Sequence, residues 1–166
     1  MFSKNVALVV VAILGTCSAL SLTHSRNPSS ISRKGGPVAP FGTVDPVARC
    51  GGVGTQLGLR ISDCNGVCTL TPGTVYNCEN DFIPSSASPS LSLWVEVCLR
   101  GFCTIIIQTE LPGSSVQPGL MYTVKYSIVP NDILSGETIE FRGYIYHTDN
   151  MLLEICVSAD MHILQT

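Results

Sequence analysis

Cysteine is the residue type with the clearest chemical meaning in this sequence, and eight cysteines occur among 166 residues. Cys98 and Cys103 enclose the sequence Leu-Arg-Gly-Phe, where a two-residue turn at Arg100-Gly101 would close a β-hairpin. The two cysteines would then face each other at a non-hydrogen-bonded position, with their Cα atoms about 4.5 Å apart. Since that separation suits a disulfide, the spacing predicts a bridge across the hairpin.

The other cysteines that follow the N-terminal leader form two candidate pairs and one remainder. Cys64 and Cys68 bound a short loop that a local disulfide could close. Cys50 and Cys156 lie near opposite ends of the domain, and a bridge between them would close a loop of about 100 residues, worth about 4–5 kcal/mol in the chain-entropy model. Cys78 is left over, and we predict a buried free thiol that packs as a small hydrophobe; a bridge to another molecule is the alternative.

Metal binding and catalysis have weak support in the sequence. Zinc ligation through Cys64, Cys68, Cys98 and Cys103 is disfavoured, because a secreted chain oxidises its cysteines and a second CxxC-type pair is lacking. The histidines lie outside any nucleophile motif, and the sequence contains neither G-x-S-x-G nor H-E-x-x-H. We therefore predict a protein that is not an enzyme, needs no cofactor and binds no metal.

The distribution of charge excludes nucleic acid as a partner. All twelve acidic residues lie from Asp45 onward, where only five basic residues occur, so this part of the chain carries a net charge of −7. Residues 22–44 carry a net charge of +3. A body this acidic cannot bind nucleic acid by neutralising phosphates.

The N-terminus has the pattern of a secretory signal peptide. Lys4 precedes an apolar run at residues 6–14 that is followed by small residues, and this run is too short to span a bilayer. We predict a signal peptide at 1–21, a Ser-, Pro- and Gly-rich flexible tail or propeptide at 22–44, and one folded domain at 45–166. Because no asparagine forms a usable glycosylation sequon, we expect a secreted, extracellular protein rather than one of the endosomal or lysosomal lumen.

Short β-strands are the elements that must position these residues. Apolar runs rich in Val, Ile, Tyr and Phe recur between Gly, Pro, Asn and Asp, and no segment shows a helical period with caps. Alternation places Tyr76, Cys78, Asn80 and Phe82 on one inward face. The pattern predicts an all-β, immunoglobulin-like β-sandwich of two antiparallel sheets. The predicted strands lie near 46–50, 57–63, 74–82, 91–99, 102–110, 121–128, 138–147 and 151–163.

Several segments together resemble the ML (lipid-recognition) family. They are RCGG at 49–52, SDCNGVCTLTPGTVYNCENDF at 62–82, the apolar hairpin at 91–110, PGLMYTVKYSIVP at 118–130 and ICVSADMHIL at 155–164. The resemblance implies two sheets that splay apart around an apolar cavity and hold a lipid there. It also implies the bridges Cys50–Cys156 and Cys64–Cys68. The sequence departs from the family at 111–122, where the usual second close cysteine pair is missing.

The resemblance and the alternation together imply a set of ligand-binding residues. Ile106 and Ile133, with Leu134, are expected at the mouth of the cavity. Asn80 and Gln108 are expected to point inward, where each would meet either a ligand hydroxyl or neighbouring backbone. The full predicted lining is Tyr76, Phe82, Val95, Val97, Ile106, Tyr122, Val124, Ile133, Phe141, Ile145 and Val157.

These observations predict a secreted lipid-binding protein that reversibly holds and transports a sterol, fatty acid or related hydrophobic ligand. We expect a monomer that meets a membrane or a receptor for ligand transfer. The alternative is a secreted immunoglobulin-like interaction module, including lipid-presenting innate-immune recognition, without a carrier role. Its candidate surface would include Trp94, Ile105 and Ile107 facing outward near the Cys98–Cys103 hairpin.

Overall fold

The computed structural model describes residues 39–165, which form two facing β-sheets. The predicted signal peptide and most of the predicted tail lie outside the described residues. One sheet has four strands: β1 (Phe41–Thr43), β3 (Thr55–Ser62), β5 (Tyr76–Ile83) and β8 (Tyr122–Ile128), in the order β1-β3-β5-β8. The other has β2 (Ala48–Gly51), β4 (Cys68–Leu70), β6 (Leu91–Leu99), β7 (Phe102–Leu111), β9 (Thr138–His147) and β10 (Leu153–Ile163).

The second sheet has the order β2-β10-β9-β6-β7, and β4 pairs with the other end of β10 in parallel. All other strand pairs are antiparallel. The prediction of an all-β sandwich of two antiparallel sheets is confirmed. Residues 39–165 contain no helix with the length and apolar character that a membrane span requires.

All eight predicted strands are present, and two short strands were missed. β1 lies inside the range predicted as tail, pairs with β3 and precedes the buried Val44, so the folded domain begins at least as early as Phe41. A three-residue strand such as β1 or β4 is too short to show an alternating pattern.

The core lies between the sheets and follows the predicted alternation. Tyr76, Cys78, Asn80 and Phe82 of β5 are all buried. Their counterparts in the second sheet include Val95 of β6, and the inward residues of β9 and β10 complete the core. Burying these side chains removes apolar surface from water, which stabilises the fold by about 25 cal/mol per Å² of apolar surface buried.

Three disulfides staple the sandwich, as predicted. They join Cys50 to Cys156, Cys64 to Cys68, and Cys98 to Cys103. Cys78 is free and buried, so it is not placed to bridge to another molecule.

Candidate ligand-binding cavity

A cavity of about 580 Å³ opens at the end of the sandwich that carries the β6–β7 turn. Both sheets contribute to it, since Ile128 ends β8 of the first sheet while Val97 and Phe141 belong to β6 and β9 of the second. Twelve of its fifteen lining residues are apolar. The lining comprises Leu70, Val97, Leu99, Arg100, Phe102, Thr104, Ile106, Ile128, Val129, Pro130, Asn131, Ile133, Leu134, Ile139 and Phe141.

The cavity has a buried floor and an exposed apolar rim. Leu70, Ile139 and Phe141 at the floor are buried. Phe102 and Ile133 at the rim are 83% and 81% exposed, although both are large and apolar. Ile106 and Val129 of the same lining are exposed as well, and a group of large exposed apolar side chains around one cavity is typical of an interaction site.

The β6–β7 hairpin forms one wall of the cavity. Arg100 and Gly101 have φ values of 52° and 85°, the positive values that a two-residue type I′ turn requires. Cys98 pairs with Cys103 directly behind the turn, with Cα atoms 4.0 Å apart. The hairpin and its bridge are therefore as predicted, and they hold the tip at the mouth of the cavity.

A β-bulge in β7 decides which of its side chains enter the cavity. Val97 pairs with Thr104, but Val95 pairs with Ile107, which leaves Ile106 as the additional residue. Thr104 and Ile106 both line the cavity, whereas Ile105 pairs with Glu96 of the outer face.

The bulge overturns two expectations about β7. Ile107 packs against the core instead of facing outward. Gln108 is exposed instead of pointing inward. The physical reason is that one extra residue reverses the alternation on one side of a bulge.

The segment after β8 forms the opposite wall. Asn131 caps a 3-10 turn at Asp132–Leu134, and its side-chain oxygen accepts a hydrogen bond from the backbone N–H of Ile133 at 3.0 Å. This cap turns Leu134 toward the core while Ile133 projects into solvent. Ile133 and Leu134 both line the cavity, and Ile133 is the more exposed of the two.

Of the eleven residues predicted to bind ligand, the structure brings four together at this cavity. They are Val97, Ile106, Ile133 and Phe141. Tyr122 lies beside Phe82, with ring centroids 6.3 Å apart, and is partly buried. Five others are buried in the core away from this cavity: Tyr76, Phe82, Val95, Ile145 and Val157. Val124 lines a separate pocket, together with Tyr122.

Alternation does not distinguish core residues from cavity residues, because both face inward. Several cavity residues were missed: Leu70, Leu99, Arg100, Phe102, Thr104, Ile128, Val129, Pro130, Asn131 and Ile139. For Leu99, Ile128 and Ile139, continuing the inward alternation to the strand ends could have found them. Arg100 lies in the predicted turn, and nothing in the sequence of the turn indicates that it borders a cavity.

The inward polar residue Asn80 has a protein partner. Its side-chain oxygen accepts a hydrogen bond from Nε2 of Gln56 at 2.8 Å, and Asn80 does not line the cavity. The alternative of a backbone partner is also not what is found, since Gln56 supplies the donor from its side chain.

Arg100 is the one charged residue among those that line the cavity. Its guanidinium lies 2.6 Å from Oε1 of Glu137, and its side chain is 74% exposed. Thr104 and Asn131 are the two polar lining residues. The cavity is therefore apolar in its depth, with its only cation at the hairpin tip.

A tyrosine hydroxyl is buried behind the cavity floor. The ring of Tyr126 stacks on that of Phe141, with centroids 6.4 Å apart and an interplanar angle of 9°. The hydroxyl has no hydrogen-bond partner within residues 39–165, and burial raises its pKa well above the usual value.

Potential metal ligands come together at one place in the described part of the chain. Ligand atoms of Glu96, Cys98 and Cys103 lie within 4.8 Å of one another. Both sulfurs belong to a disulfide, so neither is a thiolate, the form in which cysteine binds metal.

A buried polar network lies outside the cavity. Glu154 accepts hydrogen bonds from the backbone N–H of Ser85 at 2.9 Å and from its hydroxyl at 2.8 Å. Nε2 of His147 lies 2.7 Å from the same carboxylate. Since His147 and Glu154 are both buried, this network joins the segment after β5 to β9 and β10.

Comparison with solved structures identifies the fold. A Niemann-Pick type C2 protein from the Japanese carpenter ant aligns with a TM-score of 0.60 at 16% identity, over 70% of this chain and 97% of that one. The chain has an ML-like fold. This ML-like sandwich also aligns with the C-terminal domain of wzt, with a TM-score of 0.58 at 16% identity over 75% of this chain and 82% of that one. No protein-family model and no curated protein matches the sequence.

Proposed function

We propose that this chain is a secreted lipid-binding protein that reversibly holds and transports a sterol, fatty acid or related hydrophobic ligand between its two sheets. The apolar cavity of about 580 Å³ carries the proposal. Small-molecule sites have volumes of about 300–1,000 Å³ and are lined mostly by apolar side chains. The fold also supports the proposal, because the Niemann-Pick type C2 protein from the carpenter ant has a similar one.

The proposed mechanism is reversible burial without covalent chemistry. Each methylene that moves from water into the cavity contributes about 0.8 kcal/mol, from which the cost of ordering the ligand is subtracted. The exposed rim residues Phe102 and Ile133 extend the apolar surface from the buried floor to solvent. A membrane or a receptor that exchanges ligand with the protein would meet this rim.

Three disulfides in residues 39–165 support an oxidising compartment. Structural disulfides persist in secreted proteins and are rare in the reducing cytosol. We therefore propose an extracellular protein, and the predicted signal peptide at 1–21 agrees with that location.

Native mass spectrometry of the protein secreted by a eukaryotic host, followed by organic extraction, tests the carrier function. We expect a one-to-one adduct of a hydrophobic molecule that extraction identifies. A bare protein that also fails to bind sterols and fatty acids on titration would contradict the proposal and favour the interaction module.

Two neighbouring isoleucines provide a matched pair of variants. Ile106 lines the cavity and Ile105 faces the outer side of the sheet, yet they are 48% and 46% exposed. We expect Ile106→Asp to weaken ligand binding at least about tenfold, since a carboxylate beside an apolar ligand loses solvation. Ile105→Asp should leave the affinity unchanged, and an equal loss in both variants would refute the assigned cavity.

A further inference from the structure

We propose that the ligand of this cavity is an amphiphile with a carboxylate head group, which the guanidinium of Arg100 binds at the mouth. This inference rests on the proposed lipid-binding function and narrows it to one ligand class. Arg100 is the single charged residue on the cavity wall, and it is a cation although the net charge of the domain is negative.

The polar groups on the cavity wall are suited to an anion. Arg100 offers N–H donors and no acceptor. The side-chain oxygen of Asn131 accepts a hydrogen bond from the backbone N–H of Ile133, and its NH₂ group can donate to a ligand. The hydroxyl of Thr104 can also donate a hydrogen bond to an anion. The nearby carboxylates Asp132 and Glu137 are not among the lining residues.

Glu137 does not use up the binding capacity of Arg100. The structure shows one hydrogen bond between them, from one Nη atom to Oε1, whereas a guanidinium carries five N–H donors. Glu137 therefore competes with a ligand for only one of these donors. A ligand carboxylate can accept two parallel hydrogen bonds from the remaining edge of the guanidinium.

The hairpin holds the backbone of Arg100 in place before a ligand arrives. Arg100 occupies the first central position of the turn, and the Cys98–Cys103 disulfide closes the hairpin behind it. Restricting the group that binds the ligand lowers the entropic cost of binding. A head group at Arg100 leaves the chain of the amphiphile directed toward the buried floor at Leu70 and Phe141.

The test compares hexadecanoate with hexadecanol, which share the same chain length and differ in head-group charge. Affinities are measured at neutral pH by displacement of a fluorescent hydrophobic probe. For the unaltered protein we expect hexadecanoate to bind about tenfold more tightly. In Arg100→Gln the preference for hexadecanoate over hexadecanol should disappear, and in Glu137→Gln it should increase.

Lys125→Gln is the matched control. Lys125 is 70% exposed and pairs with Glu79 at 2.8 Å, but it lies on the outer face of β8, away from the cavity. This variant should keep the tenfold preference, and a loss of preference there would assign the effect to overall charge and overturn the role of Arg100. Equal binding of the two ligands to the unaltered protein would refute the inference and leave the proposed function intact. Failure to bind either compound or any sterol would refute the proposed function itself.

Discussion

Two of the disulfides should affect different properties of the protein. Removal of Cys50–Cys156 should mainly lower stability, and removal of Cys98–Cys103 should mainly speed the release of ligand. Cys50 and Cys156 are 106 residues apart in the sequence, whereas Cys98 and Cys103 are five apart. In the chain-entropy model, a disulfide stabilises the folded protein because it lowers the entropy of the unfolded chain. The expected stabilisation is about 5 kcal/mol for the Cys50–Cys156 bridge and about 2 kcal/mol for the Cys98–Cys103 bridge. A domain of ordinary stability, about 5–15 kcal/mol, would lose much of its stability in the first case.

We therefore expect the double variant Cys50→Ala/Cys156→Ala to lose about 5 kcal/mol, or to fail to fold at 37 °C. The double variant Cys98→Ala/Cys103→Ala should lose about 2 kcal/mol or less, because the turn and the pairing of β6 with β7 still form the hairpin. Urea unfolding followed by fluorescence measures both values. Trp94 is the only tryptophan, and its ring lies 5.0 Å from that of Tyr146.

Ligand dissociation should show the opposite order. The hairpin tip supplies Arg100 and Phe102 to the cavity, so a tip without its bridge should release a bound fluorescent fatty acid several-fold faster. Folded protein lacking the Cys50–Cys156 bridge should release it at the normal rate, because neither of these residues lines the cavity. If the Cys50–Cys156 variant proved the more stable of the two, or if both released ligand equally fast, the reasoning would be refuted.

Three further predictions concern titration and buried groups. Arg60 holds the pKa of Asp81 below its usual value; the resulting stabilisation is present above about pH 4 and is lost as pH falls through the lowered value. The stability difference between Arg60→Met and the unaltered protein should therefore shrink in urea titrations below pH 4, and a constant difference would contradict it. Burial raises the pKa of Cys78 to about 12, so in protein without the predicted signal peptide, which contains Cys17, iodoacetamide at pH 8 should label Cys78 only after unfolding; rapid labelling of Cys78 in the native protein would show the assignment to be wrong. Tyr126→Phe removes a buried hydroxyl that lacks a partner in residues 39–165 and should stabilise the protein by about 1 kcal/mol; a lower melting temperature would indicate an unrecognised partner.

Much of the fold could be predicted from local pattern. The eight longer strands follow from alternating apolar residues, and the Cys98–Cys103 bridge follows from the length of the turn between two strands. The free thiol at Cys78 follows from its position between Tyr76 and Asn80 on an inward face. Each of these features depends on residues that are close in the sequence, or on a periodicity that one strand shows by itself.

The division between core and cavity was decided by the tertiary structure. Val95 and Val97 are equivalent by alternation, yet Val95 is buried in the core while Val97 lines the cavity. The bulge at Ile106 is a further case, because an extra residue in one strand is defined only by its pairing with β6. Alternation indicates which side chains of a regular strand face inward. The distance between the two sheets at each point depends on how both of them pack. For that reason the cation at Arg100 could be recognised as part of the cavity only after the hairpin was placed against the segment that follows β8.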